Sequence, residues 1–239
     1  MQLFPTIHIK NGRCYSTVSV GEIGKYNIYT SNPTKLAALW ESKGAKRLHV
    51  VDVDGAMTGE PMNKDAVREI LQTVSVPVQC GGGLRTVRDI DEYLNLGVDR
   101  VVCGTMPIQK HRFAQDAIEL FGSDRFVVGI DVNNGMVVVE GREKMYEYNP
   151  VTLIHKLREY GVNNVIYTDI GAPVSMEGQH LENIKALIAH TDINIITAGG
   201  ISSVNDIQIL QNAGVHGVII ATALYDGRIS LEDIISEFE

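Results

Sequence analysis

The sequence carries two copies of one 30-residue pattern, and the second copy begins 117 positions after the first. When residues 76–105 are set over residues 193–222, ten of the 30 positions are identical. The identities in constant register include Gly82 with Gly199, Gly83 with Gly200, Asp89 with Asp206, and Gly97 with Gly214. Each copy has the pattern of a strand, a Gly-rich turn, an amphipathic helix and a second strand. The chain must therefore fold into an architecture that repeats βα units.

Short runs of β-branched residues alternate with amphipathic helical patterns along the whole chain. The eight predicted strands are LFPTIHI, KRLHVVD, VPVQC, RVVCG, RFVVGID, NVIYTD, INIITA and GVIIA. This alternation is typical of an α/β fold with a parallel sheet, and eight units in 239 residues fit a minimal (β/α)8 TIM barrel. No Pro-rich or Ser-rich linker interrupts the pattern. We therefore expect a single barrel domain over residues 1–239, built from two similar half-barrels at about 1–122 and 123–239.

Composition narrows the class of partner. The formal net charge of −8 argues against nucleic acid as a ligand. Since the chain has no charged-then-apolar leader and no apolar run of roughly 18 residues, we expect no membrane partner and a cytoplasmic location. The three cysteines, Cys14, Cys80 and Cys103, have no paired spacing, which is typical of a reducing compartment. We expect a monomer that binds a small molecule.

Two Gly-rich turns follow the third and seventh predicted strands, at residues 81–86 and 198–203. Where side chains are missing, backbone N–H groups can approach an anion near a helix start, and such turns lie at the face of a barrel where phosphate is often bound. Gly also eases a tight βα turn, so one turn alone would decide little. Two copies at one offset favour a ligand with two phosphate ends. The predicted phosphate-binding residues are Gly81, Gly82, Gly83, Gly104 and Thr105 in the first half, and Gly199, Gly200, Ala221 and Thr222 in the second.

Polar side chains stand at matching strand ends in the two halves. The 117-residue offset carries Asp52 onto Asp169. We expect both carboxylates to fix loop backbone through hydrogen bonds, and we count Asp169 with the substrate-binding residues. An offset of 123 residues carries His8, in FPTIHIKNG, onto Asp131, in VVGIDVNNG. His8 and Asp131 are therefore predicted to occupy equivalent corners at the mouth of the barrel, where its strands end.

Seven motifs occur in an order that indicates a family. They are PTIHIKNG, LHVVDVDGA, VPVQCGGGLRT, VGIDVNNG, VIYTDI, ITAGGISS and GVIIATALYDGRIS. In this combination the chain resembles, from end to end, the histidine-biosynthetic isomerase family HisA. The resemblance implies an Amadori rearrangement of a bis-phosphorylated aminoaldose, phosphoribosylformimino-5-aminoimidazole carboxamide ribotide, to its aminoketose, without a metal or redox cofactor. It also implies catalytic roles for Asp131 and Thr168, and a place for Arg85 in the first phosphate site.

The chain departs from the family's pattern at both positions that handle protons. Where the family's first strand ends in a catalytic Asp, this chain has His8. The family's sixth strand runs on to a second catalytic Asp and later an Asn, and this chain has Pro173 and His180 at those positions. The family's Arg-Gly-Trp triplet is replaced by Glu140-Gly141-Arg142. Glu177 and His180 lie in the long loop after the sixth strand, where they are either a replacement acid or ligand, or exposed to solvent.

Several interpretations of His8 remain open. An imidazole has an unperturbed pKa of about 6.5, so a histidine is chemically able to replace the acid or base. In the second interpretation, His8 binds a metal together with Asp131, Asp52, Asp169 or His180. No metal-binding spacing in the sequence supports this interpretation. In the third, His8 fills a polar strand end in a phosphoribosyl-binding barrel that has lost or changed the isomerase activity. This binding barrel is the leading alternative function.

Overall fold

Parallel strand pairing closes on itself in this protein. The computed structural model describes residues 1–17, 26–30, 32–133, 135–139, 144–146, 149–170, 176 and 178–239. The strands within these residues are β1 (Gln2–Lys10), β2 (Arg13–Thr17), β3 (Tyr26–Thr30), β4 (Leu48–Asp52), β5 (Val78–Gly81), β6 (Arg100–Cys103), β7 (Phe126–Asn133), β8 (Met136–Val139), β9 (Lys144–Tyr146), β10 (Asn164–Asp169), β11 (Asn194–Ala198) and β12 (Gly217–Ile220). Parallel pairs follow the order β1, β4, β5, β6, β7, β10, β11, β12, and β12 pairs with β1. These eight strands therefore form a closed barrel.

Helices connect successive barrel strands. Within the described residues they are α1 (Pro33–Ser42), α2 (Val53–Thr58), α3 (Lys64–Thr73), α4 (Val87–Leu96), α5 (Thr105–Gln109), α6 (His111–Phe121), α7 (Pro150–Glu159), α8 (Gln179–His190), α9 (Val204–Ala213), α10 (Thr222–Tyr225) and α11 (Leu231–Phe238), with a 3-10 turn at Ser123–Arg125. The predicted (β/α)8 barrel is confirmed. Among these described helices, none is long and apolar enough to cross a membrane.

Two antiparallel ribbons, which the strand pattern did not predict, extend β1 and β7. β1 turns back into β2, which pairs with β3, and β7 turns back into β8, which pairs with β9. The first turn has positive φ at Asn11 (+50°) and Gly12 (+68°), the geometry that an Asn-Gly pair favours in a tight hairpin. Gly135, in the second turn, has a φ of +78°. A ribbon therefore rises beside the mouth on two strands of the barrel.

Side-chain alternation along the barrel strands separates an inner from an outer core. Inside the barrel, apolar side chains form one cluster: Phe4, Val127, Ile166, Ile196 and Ile219, with Val102 and Ala198 packed against it. A larger cluster fills the space between strands and helices. Because successive residues of a strand point to opposite faces, residues two or four positions further along the same strands also face the lumen. This places His8, Asp131, Thr168 and Ala198 inside the barrel at its mouth.

The two copies of the repeat use the same helix caps. The Thr86 hydroxyl accepts from the Asp89 N–H, and the Asp89 carboxylate accepts from the Thr86 N–H. Ser203 and Asp206 form the same reciprocal box at the start of α9. Each helix then ends at a glycine in the left-handed conformation. The Gly-rich turns that precede α4 and α9 are therefore held by equivalent local structure.

Candidate active site

The three predicted catalytic residues all lie at the mouth of the barrel. Asp131 on β7 and Thr168 on β10 are Cα partners in adjacent strands. β1, which carries His8, is four strands away from β7 in either direction around the barrel. His8 and Asp131 therefore lie on opposite sides of the lumen, and Thr168 lies beside Asp131.

The predicted phosphate-binding residues form two groups, which we call the first and second cradles. The first cradle, after β5 and β6, consists of Gly82, Gly83, Gly104 and Thr105, and the second, after β11 and β12, of Gly199, Gly200, Ala221 and Thr222. β5 lies opposite β11, and β6 lies opposite β12, in the strand order. The line that joins the two cradles therefore crosses the line that joins β1 to β7.

The turn glycines are required by the backbone itself. Gly82 and Gly83 have φ values of +115° and +79°, and Gly199 and Gly200 have values of +86° and +71°. Side chains rarely adopt this region. A Cβ atom at Gly82 would also overlap the carbonyl oxygen of Asp52. The tight-turn explanation of these glycines is thus correct, and the turns carry no side chains at these four positions.

The starts of the longer helices are already occupied by carboxylates. Asp89 Oδ2 accepts from the N–H groups of Arg85 (3.0 Å) and Thr86 (2.8 Å). Asp206 Oδ2 accepts in the same way from the N–H groups of Ser202 (2.9 Å) and Ser203 (2.8 Å), the two serines before α9. Burial alone would raise the pKa of Asp206, but the hydrogen bonds from these serines hold it below its usual range. An anion at either helix start would meet a carboxylate, so an anion site must use the turn and not the start of α4 or α9.

Two short helices complete the cradles. Gly104 precedes α5 and Ala221 precedes α10, and neither provides a side-chain cap to its helix. Their backbones are alike, with φ and ψ of −95° and −83° at Gly104 and −120° and −94° at Ala221. A short helix after the eighth strand is a frequent part of phosphate sites in (β/α)8 barrels. The sequence did not predict these two helices, because segments of five and four residues are too short to show a helical periodicity.

Asp52 holds the loop that follows its strand. Its carboxylate is fully buried on the outer side of β4. It accepts from the backbone N–H groups of Gly55 (2.8 Å), Met62 (2.7 Å) and Asn63 (2.8 Å), and from Asn63 Nδ2 (2.7 Å). The prediction that Asp52 fixes loop backbone is confirmed.

Asp169 occupies the equivalent place in the second half, with a histidine as its partner. Its Oδ2 lies 3.3 Å from Nδ1 of His180, and both side chains are buried. His180 follows Asn63 by the same 117 positions that separate Asp169 from Asp52. The solvent-exposed interpretation of His180 is therefore wrong. The structure does not bring the Asp169 side chain into the lumen with Asp131 and Thr168, because consecutive strand residues face opposite ways.

The remaining candidates that the structure describes form neither a metal site nor a reactive thiolate. The described residues bring together no group of three or more His, Cys, Asp or Glu side chains able to hold a metal. Burial raises the pKa of Cys14 to about 12 and raises those of Cys80 and Cys103 further, so none is suited to act as a thiolate. Three of the sequence-derived candidates lie outside the described residues, namely Pro173, Glu177 and the triplet at 140–142.

The fold and the residues at its mouth define the class of protein. It is a duplicated (β/α)8 barrel in which an imidazole and a carboxylate face each other at the ends of the strands. A family model described as histidine biosynthesis protein matches residues 2–230. A protein of Lachnoclostridium phytofermentans is 44% identical over 239 residues, 100% of either chain. Proteins of Thermoanaerobacter pseudethanolicus and Acetivibrio thermocellus are each 38% identical over 235 residues, 98% of either chain. All three are named 1-(5-phosphoribosyl)-5-((5-phosphoribosylamino)methylideneamino) imidazole-4-carboxamide isomerase. The chain belongs to the histidine biosynthesis protein family.

Proposed function

We propose that this protein is a HisA-type aldose–ketose isomerase that converts the bis-phosphorylated aminoaldose of histidine biosynthesis to its aminoketose. Relatives matched over their full length are named for this activity. The observation that carries the proposal is the crossing of two lines at the mouth, one between the cradles and one between His8 and Asp131. A ligand with a phosphate in each cradle crosses the mouth between the imidazole and the carboxylate, which can then reach the ribose that rearranges.

The rearrangement begins with two proton transfers. An acid protonates the ring oxygen as the bond from C1 to that oxygen breaks and C1 forms a double bond to nitrogen, and a base removes the proton from C2 to give an enaminol. A proton shift from the C2 hydroxyl to C1 then gives the aminoketose. His8 and Asp131, on opposite sides of the lumen, supply the acid and the base. An imidazole can act in either role near neutral pH, because its unperturbed pKa is about 6.5. Thr168, the Cα partner of Asp131, orients the carboxylate.

The cradles hold the phosphates through turn N–H groups, and Arg85 adds a positive charge near the first. Asp169 acts indirectly: its carbonyl oxygen lies 3.3 Å from the position of a Cβ at Gly199, so it supports the second cradle from behind. We expect neither a metal nor a redox cofactor, since proton transfer suffices. We further propose that the protein acts as a cytoplasmic monomer. Full activity in EDTA and gel filtration at the mass of one chain test the cofactor and monomer statements.

The decisive assay uses the purified protein and the bis-phosphorylated aminoaldose. Turnover is compared in wild type, His8→Ala and Asp131→Asn, and the matched controls His155→Ala and Asp124→Asn carry the same chemical changes at exposed positions. We expect both mouth substitutions to lower kcat by about 100-fold or more, a typical share for one acid or base, with ligand affinity retained. Controls are expected to match wild type.

The departures at His8 and Pro173 favour one second candidate, a barrel that binds the phosphoribosyl ligand without isomerising it. Saturable binding with no turnover by wild type would establish that candidate and overturn the isomerase. Regained turnover in His8→Asp combined with Pro173→Asp would then identify an isomerase that has lost its acid–base pair. A wild type that does not bind the aminoaldose would overturn both.

A further inference from the structure

One layer of the barrel interior, below His8, is polar in the first half of the barrel only. His49 on β4, Gln79 on β5 and Arg100 on β6 occupy three consecutive strands and face the lumen. The residues 117 positions later are Ile166, Ile196 and Gly217. Buried polar groups are costly unless they are hydrogen-bonded, so a polar row that the other half lacks calls for a specific role.

The three side chains form a row of hydrogen bonds in which the donor and the acceptor of each bond are fixed. Arg100 Nη2 donates to Gln79 Oε1 at 2.8 Å, and the Gln79 amide nitrogen lies 3.0 Å from His49 Nδ1. Arginine has no acceptor, so the oxygen of Gln79 must face Arg100 and the amide nitrogen must face His49. That nitrogen can only donate. His49 Nδ1 is therefore the acceptor, and the proton of the neutral ring is on Nε2.

His49 remains neutral at physiological pH. Burial, the charge of His8 and then that of Arg100 lower the pKa of His49 to about 3. Its only basic nitrogen is engaged by Gln79, so a second proton has no site on the ring. His49 is the Cα partner of Thr6, two residues before His8 on the adjacent strand, and it faces the lumen one layer below His8.

We propose that Gln79 and Arg100 are positioning residues that keep Nε2 of His49 a hydrogen-bond donor only, so that His8 exchanges its proton with the ligand side of the mouth and not with the barrel interior. The proposal rests on the proposed function in giving His8 a proton to exchange. Among the described residues, two titratable groups lie on the strands paired with β1: Tyr15 on β2 is the Cα partner of His8, and His49 on β4 is the Cα partner of Thr6. Lys10 lies two residues further along β1, the Asp54 carboxylate on α2 accepts from the Asn11 N–H, and Asp131 lies across the lumen.

The tautomer can be read directly in the full-length protein. Long-range 1H–15N correlation spectra distinguish the two neutral imidazole forms for each of the seven histidines, and His49→Asn and His8→Asn assign the signals. In wild type we expect His49 to be neutral, protonated on Nε2, and without titration between about pH 5 and 8. A wild-type His49 protonated on Nδ1, or one that titrates in this range, would overturn the proposal before any variant is made.

Gln79→Glu reverses the hydrogen bond between residue 79 and His49, and leaves the one from Arg100 in its original direction, with almost no change in shape. A carboxylate only accepts, so His49 must carry its proton on Nδ1 and present a basic Nε2 to the lumen. We expect the titration midpoint of His8 to rise by about one pH unit, a tenfold change in proton affinity. Gln72→Glu makes the same change at an exposed position on α3 and should leave the midpoint unchanged.

An unchanged His8 midpoint in a Gln79→Glu protein whose His49 has switched tautomer would overturn the proposal. Turnover is measured on the same samples, where we expect kcat to fall about tenfold with KM little changed. A wild type with the expected tautomer and no turnover refutes only the proposed function. The two failures are therefore distinguishable.

Discussion

Asp52→Asn tests how much of the loop after β4 depends on one carboxylate. In the wild type, Oδ1 accepts from the Gly55 N–H and from Asn63 Nδ2, and Oδ2 accepts from the N–H groups of Met62 and Asn63. An amide keeps one accepting oxygen, so in either orientation two of these donors face an NH2 group. A buried donor left without an acceptor costs about 1–3 kcal/mol, so the free energy of unfolding should fall by about 2–6 kcal/mol.

Urea unfolding at neutral pH measures this loss. Asp124→Asn, an exposed site in the 3-10 turn, is the matched control and should change the free energy of unfolding by less than about 0.5 kcal/mol. The urea dependence of the free energy should be the same in all three proteins, because the surface exposed on unfolding is the same. A loss below about 1 kcal/mol in Asp52→Asn would refute the reasoning, since two unsatisfied donors cannot cost so little.

Three further outcomes are expected. Gly82→Ala should lower the free energy of unfolding by more than Gly199→Ala. Both glycines have positive φ, which costs an alanine about 1–2 kcal/mol, but a Cβ overlaps a carbonyl oxygen only at Gly82. Equal losses of stability in urea would contradict this. The folded pKa of His49, about 3, lies below the unfolded value, so its contribution to stability is complete above about pH 6.5 and is lost as the pH falls. Between about pH 6 and 4 the stability of wild type should therefore decline relative to His49→Gln by about 1.4 kcal/mol per pH unit, and a constant difference would count against the buried neutral ring. His180→Asn should be tolerated within about 1 kcal/mol, whereas His180→Leu should cost about 1–3 kcal/mol by removing a donor from buried Asp169, as thermal and urea unfolding can check.

The barrel could be predicted because its signals are local and repeated. Strand and helix periods alternate along the chain, and the 117-residue offset aligns Asp89 with Asp206, each of which forms a capping box in the structure. The ribbon after β1 also had a local signal, the pair Asn11-Gly12, which is typical of a tight hairpin. The strand pattern alone did not reveal it, because a ribbon that leaves the barrel has no counterpart in a simple βα unit.

Two kinds of feature could not be predicted from the sequence: the face to which a strand side chain points, and contacts between residues far apart along the chain. Adjacent strand residues point to opposite faces, so Thr168 belongs to the lumen and Asp169 to the outer core, a distinction that motif matching does not make. The partnership of Asp169 with His180 spans a loop, and the hydrogen-bonded row from His49 to Arg100 requires three separate strands to lie side by side. Only the closed order of strands shows that His8 and Asp131 are opposed.

The equivalence of the two cradles has a consequence for how a ligand enters. A molecule with a phosphate at each end meets nearly the same backbone whichever way round it lies, so the backbone gives little preference between two orientations related by a half-turn. Side chains must then decide the orientation: Arg85 beside the first cradle, and at the centre an imidazole on β1 against a carboxylate on β7. The polar row beneath one half and the isoleucines beneath the other extend the same asymmetry. In a duplicated barrel, the residues that differ between the halves decide which way round the ligand binds.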